Sequence, residues 1–596
     1  MGGRIIGIDA GTSNSCLAWI GAEAGAAIQV LDIGQVEAPG QTIAFPQLPS
    51  ALYLPLAGEP GYEDSPDGKP GIAGRWAAGR GRLAPDRLIT SAKSWLGHRG
   101  VDRHDAILPW DSPVEEGRRS PVEATAFYLR HLRRALEDHS GPLTGDDVIV
   151  LTVPASFDET ARSLTVEAAR DAGLPQLTLM EEPQAALYAW IDDREDWRRQ
   201  LQAGETILVC DTGGGTTDFS LVRVSDKEGE LSLERLSVGR HLLLGGDNMD
   251  LTLAVHVRGK LEEAGTPPDH WQFLSLIHAC RHAKETLLGP QPPESVPLSV
   301  TGRGSGLFDQ VLSSELTRSE VQEIITGGFF PLCTPGEDPL DDADSALHEF
   351  GLPYEKDPAI SRHLAGFLRA AWRNQCSAEG KPVDGADRTM LLPDAVLFNG
   401  GVFRAAALRE RLLNLLRSWD CEHIRELPGG HPDLAVARGA AAYGRIRSSG
   451  HGLRIRAGTA RSWYLGIVSG GMAVPGYSPP VKGLCILPQG TEEGSPVRTG
   501  KDRLALTTGR TVEFRFFSSR ERGGDKAGDM IGDAPRQLEE SDPLRVTLPP
   551  AADGQSRRVP VMLSAVLTET GTLQLSMDHT ASDQKWELEL NVRRET

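Results

Sequence analysis

Cysteine is scarce in this chain: seven in 596 residues, an odd number with no Cys-x-x-Cys pair. That excludes a disulfide framework or a zinc ribbon as what holds the fold together. Thiols such as Cys210 and Cys280 sit in apolar runs and read as small hydrophobes. Long apolar runs are missing too, since none approaches the roughly 18 residues of a membrane span. The short apolar stretch after Met1 meets Asp9 at once, too short for a signal peptide. The expected location is therefore cytoplasmic, in a reducing compartment. Basic residues are in deficit, 62 Lys plus Arg against 82 Asp plus Glu, for a formal net charge of −20. Such a surface repels phosphate backbones and anionic headgroups, and no basic patch offsets it, so neither nucleic acid nor a membrane is the expected partner. The Walker A pattern and the HRD and DFG signatures of protein kinases are also absent.

What is present is an ordinary soluble composition, 39% hydrophobic and 24% charged, and an internal repeat. Residues 4–20 read as a β-hairpin whose turn is Asp9-Ala10-Gly11-Thr12-Ser13-Asn14-Ser15. About two hundred positions later the design recurs. The run Ile207 to Cys210 enters Asp211-Thr212-Gly213-Gly214-Gly215-Thr216-Thr217-Asp218 and leaves as the strand Phe219 to Val224. Two strand, acidic-glycine turn, strand units imply two related lobes, each offering a turn to a shared cleft.

Between the turns, Val148 to Val153 reads as a buried strand, followed by a helix capped by Asp158 or Ser156 and stopped at Gly173. Glu182 falls at the next strand-to-helix junction, ahead of Pro183. A helix is expected over Leu276 to Leu288, carrying Arg281, Lys284 and Glu285. Asp394 to Asn399 reads as a buried strand entering the Gly400-Gly401 turn and a helix from Ala405 to Leu416. The stretch from Pro335 to Asp357, acidic and Pro-containing, reads as a surface insertion. The expected fold class is α/β: a two-lobed domain over 1–445, a Gly/Ser/Arg-rich linker over 446–461 and a smaller all-β sandwich over 462–596.

Backbone N–H groups can approach phosphate oxygens closely where residues lack a Cβ, as in Gly213-Gly214-Gly215. Hydroxyls from Thr12, Ser13 and Thr216 add donors. Carboxylates beside phosphates repel them unless a divalent cation intervenes, so Asp9, Glu182, Asp211 and Asp218 make sense together with Mg²⁺. The cleft is thus expected to hold a Mg-nucleotide.

The ordered set Asp9 to Ser15, Val153-Pro154-Ala155-Ser156-Phe157, Glu181-Glu182-Pro183-Gln184-Ala185-Ala186, Asp211 to Asp218, Gly245-Gly246-Asp247-Asn248-Met249-Asp250 and Gly400 to Arg404 resembles the seventy-kilodalton heat-shock chaperones. These belong to the actin-like ATPase superfamily, with its ribonuclease H-like lobes. The resemblance covers roughly residues 4–445. It implies ATP/ADP and Mg²⁺ as ligands. Asp9, Glu182 and Asp211 would hold the metal's water shell, Thr12 and Thr216 would touch phosphate, and Asp218 would place the attacking water. Gly11, Ser13, Asn14, Gly213, Gly214, Gly215, Gly245, Gly246 and Asp247 complete the implied phosphate side. The implied adenosine side comprises Arg281, Lys284, Glu285, Leu288, Gly400, Gly401, Arg404 and Asp433, with Lys284 on the ribose and Arg404 stacked on the base.

The sequence departs from the family pattern at two places. In the Gly-x-x-Ala-Lys motif the lysine that neighbours the γ-phosphate is replaced by Ala78, which implies slow hydrolysis unless Arg80 reaches in. On the adenosine helix, Arg281 stands at the family's acidic position and Glu285 at a basic one. The C-terminal region lacks both the family's leucine-rich linker and, from the strand-like texture of 568–596, a helical lid. The expected function is a chaperone-like ATPase with unfolded or extended polypeptide clients and a co-chaperone or exchange factor. The alternatives are a nucleotide-binding scaffold with weak hydrolysis and a small-molecule kinase of the same superfamily.

Overall fold

The computed structural model describes residues 3–589 apart from 301–310, 341–351, 382–388, 450–458, 469–480, 500–503, 550–557, 569–572 and a few shorter stretches. Residues up to Ser449 are built on two sheets of one design. In the first, β1 (Ile5–Ala10) forms an antiparallel hairpin with β2 (Asn14–Ile20). On its other side β1 pairs in parallel with β3 (Val148–Val153), which pairs in parallel with β4 (Thr178–Glu181). In the second sheet, β5 (Thr206–Thr212) and β6 (Thr217–Lys227) form the hairpin. There β5 pairs in parallel with β7 (Ala395–Asn399) and β7 with a short strand at Arg425–Glu426. The register makes the repeat explicit, with Asp9 opposite Thr152 and Asp211 opposite Asn399.

These parallel strands are apolar almost throughout because both faces are covered by helices. Between the sheets cross α1 (Glu182–Asp192) and α2 (Ala435–Ser449). One shared core joins Val150 and Met180 of the first sheet to Ile207, Val209, Ala395 and Leu397 of the second through Ala185, Leu187 and Ala440 of these helices. Each sheet's outer face has its own core: Leu129, Leu132 and Leu164 against Ile6 and Leu151, and Leu253, Cys280 and Leu412 against Leu208 and Val396. Since both sheets pack on the same crossed helices, the turns at the ends of β1 and β5 emerge on the same side.

The strand and helix expectations hold with small shifts. Asp158 caps the helix Glu159–Asp171 and Gly173 follows it at φ +85°. The adenosine-side helix begins earlier than read, at His270, because Asp269 and Gln272 form a reciprocal capping box there. Residues 446–449, read as linker, are instead the last turn of α2, and 450–458 lie outside the described residues. Part of the stretch read as an insertion, 341–351, also lies outside them.

Beyond residue 459 the described structure is strands apart from one helical turn, Ala534–Gln537. Ser462–Val468, Val481–Leu487 and Phe516–Ser519 form one sheet, and Arg558–Leu567, Leu573–His579 and Lys585–Glu589 the heart of another. Trp463, Ile486 and Phe516 from the first meet Val561, Leu575 and Trp586 from the second in a single core. The alternating run Thr511 to Phe517 breaks at Arg515: Thr511–Phe514 pairs with Leu544–Thr547, whereas Phe516–Ser519 pairs with Ser462–Leu465. Both edges of the first sheet are occupied by the chain itself. Met530–Ile531 pairs with Gly483–Leu484, and Glu539–Glu540 with Phe517–Ser518. Between these strands Ala534 and Leu538 press on Tyr464, Cys485 and Phe517.

The Phe516 ring is fully buried between the two sheets. Phe516→Ala is expected to destabilise this module by about 3–5 kcal/mol through lost transfer energy and the cavity left behind. Guanidinium unfolding followed by tryptophan fluorescence should show the change.

Candidate nucleotide-binding site

The two repeated turns touch. A Cβ on Gly214 would come within 1.9 Å of Ser13 Oγ, and one on Gly215 within 2.6 Å of Thr12 Cγ2. Glycine at both positions is what allows the second tip to close on the first. The first tip is braced from behind: Ser50 Oγ donates to the Gly11 carbonyl at 2.7 Å and lies 2.9 Å from Ser15 Oγ. Asn14 is exposed at the start of β2. In the second tip Gly213 N–H donates to the Thr216 carbonyl at 2.9 Å, while Thr216 itself is half-buried.

Four carboxylates gather around these tips. Asp9 and Asp211 are the next-to-last residues of β1 and β5, so they belong to the strands rather than to the turns as read, and both are half-buried. Each is held by the residue opposite it on the neighbouring parallel strand. Thr152 Oγ1 donates to Asp9 at 3.4 Å and Asn399 Nδ2 to Asp211 at 2.7 Å. Burial, with Glu182 nearby, pushes Asp211 up to about 8. Burial likewise pushes Asp9 up to about 7, against the pull of Lys93. Glu182 is the first residue of α1 and forms an ion pair with Lys93. Its neighbour Glu181 faces elsewhere, tied to Arg162 at 2.8 Å and to Arg235 of the second sheet.

Asp218 spans the lobes. Ser156 Oγ donates to its Oδ1 at 2.6 Å and lies 2.7 Å from His241 Nδ1. Burial acts to raise Asp218, but the His241 contact and the Ser156 hydroxyl outweigh it and hold the carboxyl below its ordinary value. Ser156, His241, Thr152, Asn399 and Lys93 were not assigned to the site from sequence. The signal available for Thr152 and Asn399 was their position at the carboxyl ends of parallel strands beside the acidic turns.

The remaining expected positions divide. The Gly245-Gly246-Asp247 turn braces the second tip: Gly246 and Asp247 N–H donate to the Gly213 and Gly214 carbonyls at 3.0 and 2.7 Å. Asp247 pairs with Arg281, which also reaches Asp250 at 2.7 Å. Lys284 is not a solvated helix charge. It is nearly buried, 2.9 Å from the Gly246 carbonyl and 2.7 Å from Asp250. Glu285 is exposed and Leu288 caps the helix end. Gly400, at φ +83°, fits so tightly against the Thr212 carbonyl and the Asp211 carboxylate that a Cβ would stand 2.3 and 2.6 Å from them. Gly401 is exposed beside it, and Arg404 pairs with Asp433.

Among the described residues, no three His, Cys, Asp or Glu side chains stand close enough to ligate a metal directly. An all-oxygen set of crowded acids whose protonation is raised by one another fits a hard divalent ion held through water, as Mg²⁺ prefers. The alternative cation considered for the Ala78 position does not reach the site. Arg80 pairs with Glu59 and packs over Tyr53, and Ala78 packs beside Ala51, Tyr53 and Ala77.

Residues 101–351 match the family model for the Hsp70 protein. Over that part the chain is similar to the Hsp70 family, at modest identity to its chaperones. A chaperone protein HscA homolog of Bordetella pertussis is 32% identical over 360 residues, covering 58% of this chain and 49% of the relative. One of Acinetobacter baylyi is 31% identical over 292 residues, covering 47% and 42%. Chaperone protein DnaK of Burkholderia cenocepacia is 28% identical over 342 residues, covering 54% and 48%. The chain thus spans about half the length of the curated relatives it matches. Among the described residues, no helix is long and apolar enough to cross a membrane.

The raised acids set a pH dependence. A carboxyl near 3.8 when unfolded and about 7 or 8 when folded contributes stability that is complete below about 4 and is lost as pH rises through the folded value. Asp211→Asn removes that loss. Without nucleotide, its melting temperature at pH 8 should exceed wild type by at least about 2–4 °C, the size of a 1 kcal/mol effect. The gap should narrow toward pH 5 in a thermal melt series.

Proposed function

We propose that the chain is an ATP-binding, chaperone-like ATPase whose cleft takes Mg-ATP between the two hairpin tips. The contact of Gly214 with Ser13 carries this reading, because it sets two phosphate-gripping turns against one another beside Asp9 and Asp211. Backbone N–H groups of the Gly213–Gly215 run and the hydroxyls of Thr12, Ser13 and Thr216 would hold the phosphates. Asp9, Glu182 and Asp211 would hold Mg²⁺ through its waters, and the ion would supply charge neutralisation at the transferring phosphoryl group. Asp218, kept ionised by Ser156 and His241, is suited to accept a hydrogen bond from the attacking water and orient it. Arg404 and Asp433 would part to admit the adenine, leaving the guanidinium to stack on it.

The names of the relatives, all chaperone proteins, favour polypeptide clients for this chain as well. An extended client would add as a strand to the C-terminal sheets. The outer strands of the sheet containing Ser462–Val468 are flanked by Met530–Ile531 and Glu539–Glu540, which favours the Lys585–Glu589 strand, whose one neighbour among the described residues is Leu573–His579. Communication between modules has a physical route. Arg520, which follows the Phe516–Ser519 strand, donates to the Gly239 and Ser156 carbonyls, and Asn374 holds its own carbonyl at 2.6 Å. Those carbonyls flank the residues that hold Asp218.

The second reading, a nucleotide-binding scaffold with little hydrolysis, is favoured by the neutral residue at Ala78 and by the turn of Arg80 toward Glu59. The kinase alternative finds no support in the relatives' names. Titration calorimetry with Mg-ATP followed by single-turnover hydrolysis, with and without an unfolded peptide, separates these readings. Tight binding with hydrolysis accelerated by peptide is expected, Asp9→Asn should weaken Mg-dependent binding at least tenfold, and Arg520→Ala should blunt the acceleration. Binding without any hydrolysis would support the scaffold.

A further inference from the structure

The stretch 335–357, which reads from sequence as a surface insertion, ends in an arm that touches both lobes of the cleft. We propose that this arm, Leu352 with residues 354–357, is an inter-lobe strap: it ties the second lobe to the first beside the turn that braces the second hairpin tip, resists opening of the cleft, and so sets how fast a bound nucleotide leaves. The proposal rests on the nucleotide-binding reading above and adds a control on the same site. Residues 341–351 and 353 lie outside the described residues, and the strap is defined without them.

On the second lobe the arm is anchored at several points. Glu355 N–H donates to the Leu243 carbonyl at 3.2 Å, and the Glu355 carboxylate pairs with Arg240 at 2.8 Å. Arg240 also stands 3.2 Å from His363 Nδ1, whose other ring nitrogen, Nε2, lies 2.9 Å from the Asp357 carbonyl. The Leu243 carbonyl is free to serve because those on either side of it turn the other way. Leu242 and Leu244 both offer theirs to Thr217, at 3.0 and 2.8 Å, in the alternation of an antiparallel bridge. Asp357 closes the neck of the stretch. Its buried carboxylate accepts from the Leu340 and Ala359 N–H groups at 2.9 Å each and from Arg362 at 2.8 Å, so the chain enters and leaves at one point.

On the first lobe the arm ends in Leu352. This half-buried side chain packs against the core that contains Leu52, Trp95, Leu108 and Phe127, whose other described members all come from residues 52–128. Tyr354, between the two attachments, turns toward the bracing turn. It is 48% exposed, yet burial and the charge of Asp247 push its phenol up to about 12, so the hydroxyl end is the part that faces inward. Asp247 in turn lies where a Cβ on Gly214 would meet its Oδ1 at 3.3 Å, directly behind the closed tips. His241, between the anchor residues Arg240 and Leu243, stands against Ser156 and Asp218. The arm is thus fixed to the same short segment that carries the inter-lobe contact at Asp218.

The sequence suits a strap. Leu352 and Asp357 each precede a proline, which biases both toward extended backbone and shortens the search for the bridging conformation. A ligand held between the two tips leaves only when the lobes separate. Separation must either pull Leu352 out of the first lobe's core or break the arm's bonds to Leu243 and Arg240. The apolar contact carries more of the restraint, since the Arg240 side chain is 61% exposed and its ion pair is screened by solvent. Such a restraint acts on release more than on capture, because a nucleotide enters the open form before the strap seats.

Leu352→Ser and Leu352→Met in the full chain test this. Release of ADP carrying a fluorescent methylanthraniloyl group is followed by stopped flow, and amide hydrogen exchange is measured without nucleotide. Leu352→Ser is expected to speed release about fivefold or more, the rate equivalent of giving up part of a leucine's burial, and to leave association within about twofold. Leu352→Met keeps the apolar contact and should release ADP within about twofold of wild type. In the nucleotide-free chain Leu352→Ser should raise exchange both at residues 243–247 of the second lobe and around Trp95 of the first. Release by Leu352→Ser within about twofold of wild type, or exchange raised only within 352–357, overturns the strap. Should Leu352→Ser fail to fold, Glu355→Ala decides by loosening the second-lobe anchor: release about threefold faster supports the strap, and an unchanged rate overturns it. A wild-type chain that binds no ADP overturns the nucleotide reading instead, and the exchange pattern alone then decides the strap.

Discussion

Two glycine-tipped hairpins closing on each other is the constraint from which the rest of the cleft follows. Gly214 and Gly215 lie against Ser13 and Thr12 with no room for a side chain, and that contact forces the strand ends behind them, with Asp9 and Asp211, into one small volume. Carboxylates brought together in a partly dry place raise each other's proton affinity, so the cleft without a ligand is electrostatically unfavourable. The chain relieves this with Lys93 and with the donors Thr152 and Asn399. A site of this kind is poised to take up positive charge and a polyanion together, because each makes the other acceptable.

The closing of the tips is in turn supported from behind. The two sheets share the crossed pair Glu182–Asp192 and Ala435–Ser449, with small residues such as Ala185 and Ala440 at the crossing. Inter-lobe bonds such as Arg235 with Glu181 and Ser156 with Asp218 then fix how far the lobes close. The C-terminal module is attached near the last of these through Arg520. A change in lobe closure would be felt at the module's attachment without any long pathway between them.

Much of the cleft was legible because its signals are local. Acidic-glycine turns between apolar runs, a proline at a helix start and a helix capped by Asp158 are short-range patterns, and each falls within a residue or two of its expected place. Resemblance to the heat-shock chaperones added order to those motifs, and the family match agrees with it. The errors have physical reasons. Thr511 to Phe517 reads as one strand by composition, but the chain bends at Arg515 so that its two halves serve different sheets. Arg80 was a reasonable stand-in for a lost lysine by distance along the chain, yet its helix points it at Glu59 and Tyr53. Lys93 was visible only as a landmark, since nothing in Ser91-Ala92-Lys93 says which way the side chain faces.

By itself the sequence determined the two lobes, the acidic turns and the switch from alternating helix and strand to strands alone, because propensity, hydrophobic period and turn chemistry are properties of neighbouring residues. Only the tertiary structure decided which lysine meets the carboxylates, that Lys284 is a buried strut, and that the edges of the first C-terminal sheet are already filled by the chain's own segments. Those outcomes depend on contacts between residues far apart in the chain, fixed by packing against shared helices and sheet edges, and no local pattern encodes them.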